Sequence, residues 1–219
     1  MYKIVEDRLA IGSTQKCGSR TVIAYAYLLK HPEELVKNPE KFSSIPGPGK
    51  YDYTVDFSMK RTISHLDAFE FNYEKRIVIV RDPITRFISA YSNRSSFYTG
   101  DQPISIDEFI QSYDEFSDMP IHFSKLDHSD KFNVYSDIKF HIVPLVVAYG
   151  INKNLYTDIF NLRDMDKVKS IIEEISNKKL PDLNLNGTHL EKKPELTNDQ
   201  KNWILEKFKQ DIEVYGQWM

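Results

Sequence analysis

One cysteine, Cys17, stands among 219 residues, so the chain can close no internal disulfide and build no cysteine-based zinc knuckle. Such a chain suits a reducing compartment. Glycine is scarce, at eight residues beside ten prolines, which excludes collagenous and low-complexity classes. No apolar run approaches the roughly 20 residues of a membrane span; the longest, Ile142 to Ile151, is about half that length. The start Met1-Tyr-Lys-Ile-Val-Glu-Asp-Arg8 carries charges where an export signal needs an apolar stretch, so a cytoplasmic location is expected. Neither sign of charge is in excess: 29 Lys and Arg against 32 Asp and Glu leave −3, which argues against a general nucleic-acid or anionic-membrane binder. A local basic pocket is compatible with that balance. What is present, 41% hydrophobic and 13% aromatic residues, is enough to bury a sizeable core, and the length fits one domain over residues 1–219.

Short strands alternate with helices. Leu9-Ala10-Ile11 is an apolar run that breaks into the polar stretch Gly12 to Ser19, and a helical apolar pattern follows from about Arg20 to Lys30. Residues 38–50, with three prolines and two glycines, read as loop, and Tyr53 to Phe57 as a short strand. Ile77-Val78-Ile79-Val80 is the clearest strand, an unbroken β-branched run expected at the centre of a parallel sheet covered on both faces. Asp82 is placed to cap, and Pro83 to open, a helix with the apolar stripe Ile84, Phe87, Ile88 and Tyr91. Ser105 caps a helix carrying Phe109, Ile110 and Tyr113; Leu155 to Phe160 reads as a strand, and Val168, Ile171, Ile172 and Ile175 mark the next helix. Residues 178–195 read as polar loop. Thr197-x-x-Gln200 is a capping box opening a last helix with Trp203, Ile204, Phe208 and Ile212 inward. The alternation predicts an α/β fold with a central parallel sheet flanked by helices.

Two motifs carry chemistry. Gln15-Lys16-Cys17-Gly18-Ser19-Arg20-Thr21 lies between a strand and a helix, where backbone amides and the helix dipole favour an anion, and Lys16 adds a full positive charge. It lacks the order of a Walker A loop, because the lysine precedes the glycine. The second, Arg81-Asp82-Pro83-Ile84-Thr85-Arg86-Phe87-Ile88-Ser89-Ala90-Tyr91, puts Arg81 at the carboxyl end of the core strand, where open α/β sheets bind ligands, and Ser89 two turns into the following helix. Arginine offers a planar fork suited to phosphate. The competing reading makes Arg81 the partner of Asp82 or another carboxylate in a structural ion pair and Arg86 a solvated helix residue.

R-D-P-x-x-R-F-x-S-A-Y resembles the 3′-phosphate-binding motif of sulfotransferases that use 3′-phosphoadenosine-5′-phosphosulfate (PAPS), most closely the carbohydrate branch, and Lys16-Cys-Gly-Ser-Arg-Thr21 is similar to that branch's 5′-phosphosulfate loop. The resemblance implies a three-layer P-loop-like fold. It implies that the loop of Lys16, Cys17, Gly18, Ser19, Arg20 and Thr21 holds the 5′-phosphosulfate and that Arg81 and Ser89 hold the 3′-phosphate. The loop at 184–193 is similar to the one the family folds over the nucleotide, which brings in Lys192 and Lys193. Asp211-Ile-Glu-Val-Tyr215-Gly216 matches the family's closing D-x-x-x-[YF]-G. Gln15 departs from the family's usual proline, and the membrane anchor of its Golgi members has no counterpart in these residues.

Sulfuryl transfer to a hydroxyl needs a base at the acceptor and positive charge at the leaving oxygen, and it needs no metal. Lys16 supplies charge. His65 lies in the interval where family members place a catalytic residue, with Asp67 or Glu70 as carboxylate alternatives and His141 as a candidate acceptor contact. His122, Asp127, His128 and Asp130 match no standard metal spacing. Phe97-Tyr98 and Phe109 to Phe116 offer a sugar platform or, by their helical spacing, core packing. The expected activity is PAPS-dependent sulfation of a hydroxyl, foremost on a glycan or glycoconjugate, with 3′,5′-adenosine bisphosphate as product. A nucleotide kinase and a non-catalytic nucleotide- or glycan-binding module are the alternatives.

Overall fold

The computed structural model describes residues 2–5, 8–31, 73–101, 103–116, 127, 129–183 and 193–219. They fall into two compact units, one of Met1–Val80, Ala148–Gly187 and Trp218, the other of Arg81–Val147, Thr188–Gln217 and Met219.

The first unit is built on a four-stranded sheet of β1 (Tyr2–Val5), β2 (Leu9–Ser13), β3 (Lys75–Val80) and β4 (Asp158–Asn161), in that spatial order. β2, β3 and β4 are parallel and β1 is antiparallel to β2, so β3 lies between two parallel neighbours as its β-branched run predicts. Ile77, Val78, Ile79 and Val80 are all 0% exposed, which requires cover on both faces. Each such side chain contributes roughly 1.5–3 kcal/mol on burial. α1 (Ser19–Lys30) packs on β1 and β2, and α6 (Met165–Ser176) on β1 and β4. The stripe of α6 is as its spacing predicts, with Val168, Ile172 and Ile175 buried, and the helix stops at Asn177, whose left-handed backbone (φ +54°) is a usual C-terminal signal.

The second unit is helical. α2 (Pro83–Ser95) opens as expected, with the Asp82 carboxylate accepting from the Thr85 amide at 2.8 Å. α3 (Ile106–Gln111) is capped by Ser105 and is followed by a 3₁₀ turn at Tyr113–Glu115. α4 (Lys131–His141), α5 (Leu145–Tyr149, crossing between the units in the chain), α7 (Asn198–Lys207) and α8 (Lys209–Tyr215) complete the elements, and the Thr197–Gln200 capping box is present. Phe109, fully buried, is the hub of the unit's core: Phe87, Tyr113, Phe116, Tyr135 and Trp203 all place rings within 6.5 Å of it. The aromatic residues at 109–116 therefore pack a core; Phe97 alone of the proposed platform's aromatic rings is broadly exposed, at 46%, with the Arg94 guanidinium over its ring.

Several expectations need correction. The strand placed at Leu155 to Phe160 begins at Asp158, because Leu155 ends a 3₁₀ turn at Lys153–Leu155. The last helix is two, divided at Phe208, and the division turns Ile212 out to 36% exposure while Ile204 and Phe208 stay inward. Leu180, read as part of a polar loop, is buried, and its amide donates to Glu173. The strand expected at Tyr53 to Phe57 lies outside the described residues. Among the described residues no helix is long and apolar enough to cross a membrane.

Candidate active site

In the first unit β2 delivers the chain into a turn that closes on itself. The Cys17 amide donates to the Thr14 carbonyl at 3.1 Å, and the Ser13 hydroxyl donates to the Cys17 carbonyl at 2.7 Å. Cys17 is fully buried, so it shapes the turn from inside. Two residues enter the left-handed region, Lys16 (φ +63°) and Gly18 (φ +84°). Glycine does so freely, whereas lysine pays roughly 1–2 kcal/mol, a strain that tends to collect at functional sites. A Cβ at Gly18 would also lie 2.8 Å from Leu162 Cδ1 and 3.4 Å from Met165 Sδ, so the chain after β4 closes on the loop where only glycine fits.

α1 begins at Ser19 with no side-chain cap and no acidic residue in its first turn. Its first intrahelical bond runs from the Val22 amide to the Gly18 carbonyl at 3.1 Å, so the amides of Ser19, Arg20 and Thr21 have no acceptor within the helix. Thr21 is 1% exposed, and its hydroxyl has no hydrogen-bond partner among the described residues. A buried orphan hydroxyl costs about 1–3 kcal/mol unless a ligand engages it. Lys16 and Ser19 are half-buried and Arg20 is exposed, and no acidic residue occurs from Thr14 to Thr21. This donor set, positive in charge and dipole, fits a phosphate or sulfate group.

In the second unit Arg81 is half-buried and its Nε donates to the Thr85 hydroxyl at 3.3 Å. Ser89 is half-buried on α2 and Lys193 is exposed. Lys192, His65, Asp67 and Glu70 lie outside the described residues.

Arg86, a solvated helix residue in the competing reading, is 2% exposed. It donates to the Val143 carbonyl, lies 3.7 Å from the Asp211 carboxylate and sits over the Phe208 ring. Asp211 in turn accepts from the Leu145 and Val146 amides at 2.7 and 2.9 Å, capping α5. Sequence reasoning missed this pair; the one available signal was a charge embedded in each of two apolar helical patterns, which also describes many surface residues.

His141, expected as an acceptor contact, is 7% exposed, with Nδ1 3.1 Å from Asp137 and Nε2 3.5 Å from Arg94. Arg94 itself meets Asp137 at 2.6 Å. This buried cluster is part of the packing of its unit. Burial pushes the His141 imidazole below its ordinary value of 6.5, against the opposing pull of Asp137. Between that lowered value and 6.5 the unfolded chain binds more protons than the folded one, so stability falls as pH drops through the window. Thermal melts from about pH 7.5 to about pH 5 should show the wild type losing stability faster than His141→Gln; parallel curves would mean that folding leaves this histidine unperturbed. Of the residues considered for a metal, Asp127 accepts from Ser129 and Asp130 caps α4, while His122 and His128 lie outside the described residues. Among the described residues no group of three or more His, Cys, Asp and Glu is placed to hold a metal ion.

The family model described as "Sulfotransferase family" matches residues 5–216. No curated protein and no solved structure matches the chain. The match takes in both the acid-free loop ahead of α1 and the arginine motif that opens α2, together with nearly all of the remaining sequence; the chain belongs to the sulfotransferase family.

Proposed function

We propose that this sulfotransferase takes its sulfuryl group from PAPS and passes it to a hydroxyl of a carbohydrate, releasing 3′,5′-adenosine bisphosphate. The observation that carries the reading is the buried Thr21 hydroxyl, without a hydrogen-bond partner among the described residues, beside the acid-free start of α1. Those groups fit a phosphosulfate, whose contribution when bound is an activated sulfuryl group. In this assignment the amides of Gly18 to Thr21, the Ser19 and Thr21 hydroxyls and Arg20 hold the 5′ end of the donor. Arg81 and Ser89 hold its 3′-phosphate, and Lys192 and Lys193 cover the nucleotide. Lys16 neutralises charge on the oxygen that leaves with the phosphate. His65 takes the proton of the acceptor hydroxyl, with Asp67 or Glu70 in that role if the base is a carboxylate. The single cysteine accords with work in a reducing compartment, the cytoplasm.

Calorimetric titration tests the donor. 3′,5′-Adenosine bisphosphate should bind more tightly than ATP or 5′-AMP, neither of which carries a 3′-phosphate. Arg81→Ala should weaken it about ten- to hundredfold, the worth of one charge-assisted phosphate contact. Equal binding of all three nucleotides, unaffected by Arg81→Ala, would overturn the assignment.

A further inference from the structure

We propose that Tyr149 is a positioning residue for the donor loop, its hydroxyl acting as a wedge between the carboxyl ends of β2 and β3. The inference rests on the reading of residues 15–21 as the phosphosulfate loop.

In a parallel ladder every second residue of a strand makes the hydrogen bonds to a given neighbour. Arg8, immediately before β2, belongs to that set: its carbonyl accepts from the Lys75 amide at 2.9 Å. Steps of two from Arg8 arrive at Thr14, and the register pairs Ser13 with Ile79, so the next ladder bond would run from the Thr14 amide to the Ile79 carbonyl. The Tyr149 hydroxyl stands in its place: it accepts from the Thr14 amide at 2.8 Å and donates to the Ile79 carbonyl at 3.1 Å. One direct bond becomes two bonds through an inserted oxygen, and β2 and β3 part there. The carboxyl ends of the strands are where open α/β sheets bind their ligands.

The wedge is itself fixed. Tyr149 is 3% exposed, and its carbonyl accepts from the Tyr156 hydroxyl, which burial pushes up to about 12 and so keeps protonated as a donor. The two rings meet edge to face at 6.4 Å. Gly150, in the left-handed region at φ +79°, ends the turn that carries Tyr149. Thr14 stands two residues before Lys16, so the position of its amide sets where the loop leaves the sheet.

Tyr149→Phe keeps the ring and removes the wedge. The Thr14 amide then either closes onto Ile79 or loses its acceptor, and both results move the origin of the loop. Hydrogen exchange of the segment from Thr14 to Thr21, bisphosphate calorimetry and steady-state kinetics test this in the full chain. Tyr135→Phe is the control, because it deletes another buried tyrosine bond, to the Ser105 carbonyl at 3.1 Å. Tyr149→Phe is expected to change exchange at Thr14, weaken the bisphosphate on the order of tenfold and raise the donor KM while the acceptor KM stays put; Tyr135→Phe should do none of these. Unchanged exchange and unchanged bisphosphate affinity in Tyr149→Phe would overturn the proposal. If the wild type ignores the bisphosphate, the donor reading fails, and exchange at Thr14 still decides the wedge: altered exchange upholds it, unaltered exchange overturns it.

Discussion

Lys16→Gly is expected to lower sulfuryl transfer by about two to three orders of magnitude while leaving the stability of the fold within about 1 kcal/mol of the wild type. The two halves of this expectation have separate causes. In the role proposed for it, the Lys16 ammonium is the one lysine charge between Thr14 and Thr21. Losing a preorganised positive charge at an oxygen that gains charge in the transition state slows the chemical step most. The backbone at Lys16, with φ +63°, is one that glycine adopts without strain, so the substitution relieves a local cost while it loosens the unfolded chain. Lys16→Ala removes the same charge and keeps the strain, so it should match the kinetic loss and melt at a slightly lower temperature. Turnover in Lys16→Gly within a few-fold of the wild type would place the developing charge elsewhere.

Asp211→Ala should destabilise the protein by about 3–5 kcal/mol, the range found when one member of a buried ion pair is removed. Asp211 and Arg86 are 1% and 2% exposed, and they face each other at 3.7 Å. Burial pushes the Asp211 carboxyl up, while the Leu145 and Val146 amides and the Arg86 guanidinium hold it down. Without the carboxylate, Arg86 stays in the core uncompensated and the first amides of α5 lose their cap. Asp211→Asn keeps the shape and one acceptor and should cost less. The double variant Arg86→Met with Asp211→Leu removes both charges and should fall well short of the sum of the single losses, which chemical denaturation in a double-mutant cycle measures. A loss under about 1 kcal/mol for Asp211→Ala would mean that water reaches the pair.

The parts of this protein legible in the sequence are those decided within a few residues. Asp82 before Pro83, Ser105 ahead of Phe109 and the Thr197–Gln200 box each form because a side chain reaches an amide two or three positions away, and all three cap helices as expected. Ile77 to Val80 identified the central strand, since four consecutive β-branched residues tolerate only an environment apolar on both faces. The strand, polar turn and helix around Lys16 were legible for the same reason. β1 escaped notice because four residues beside charged neighbours carry too little pattern, and its place is set by pairing with β2.

What the sequence by itself determined is the α/β order of elements, the strand, turn and helix around Lys16 and the capped helix that follows Arg81, because local propensity and capping act along the chain. Only the tertiary structure decided that Arg86 is buried against Asp211, that His141 packs inside its unit, and that a tyrosine hydroxyl parts β2 from β3 at Thr14. A charge or hydroxyl carries no mark in the sequence that separates a solvated position from a paired one. The difference lies in whether a residue distant in the chain brings the matching acceptor or donor, and a buried polar group is tolerable only where one does.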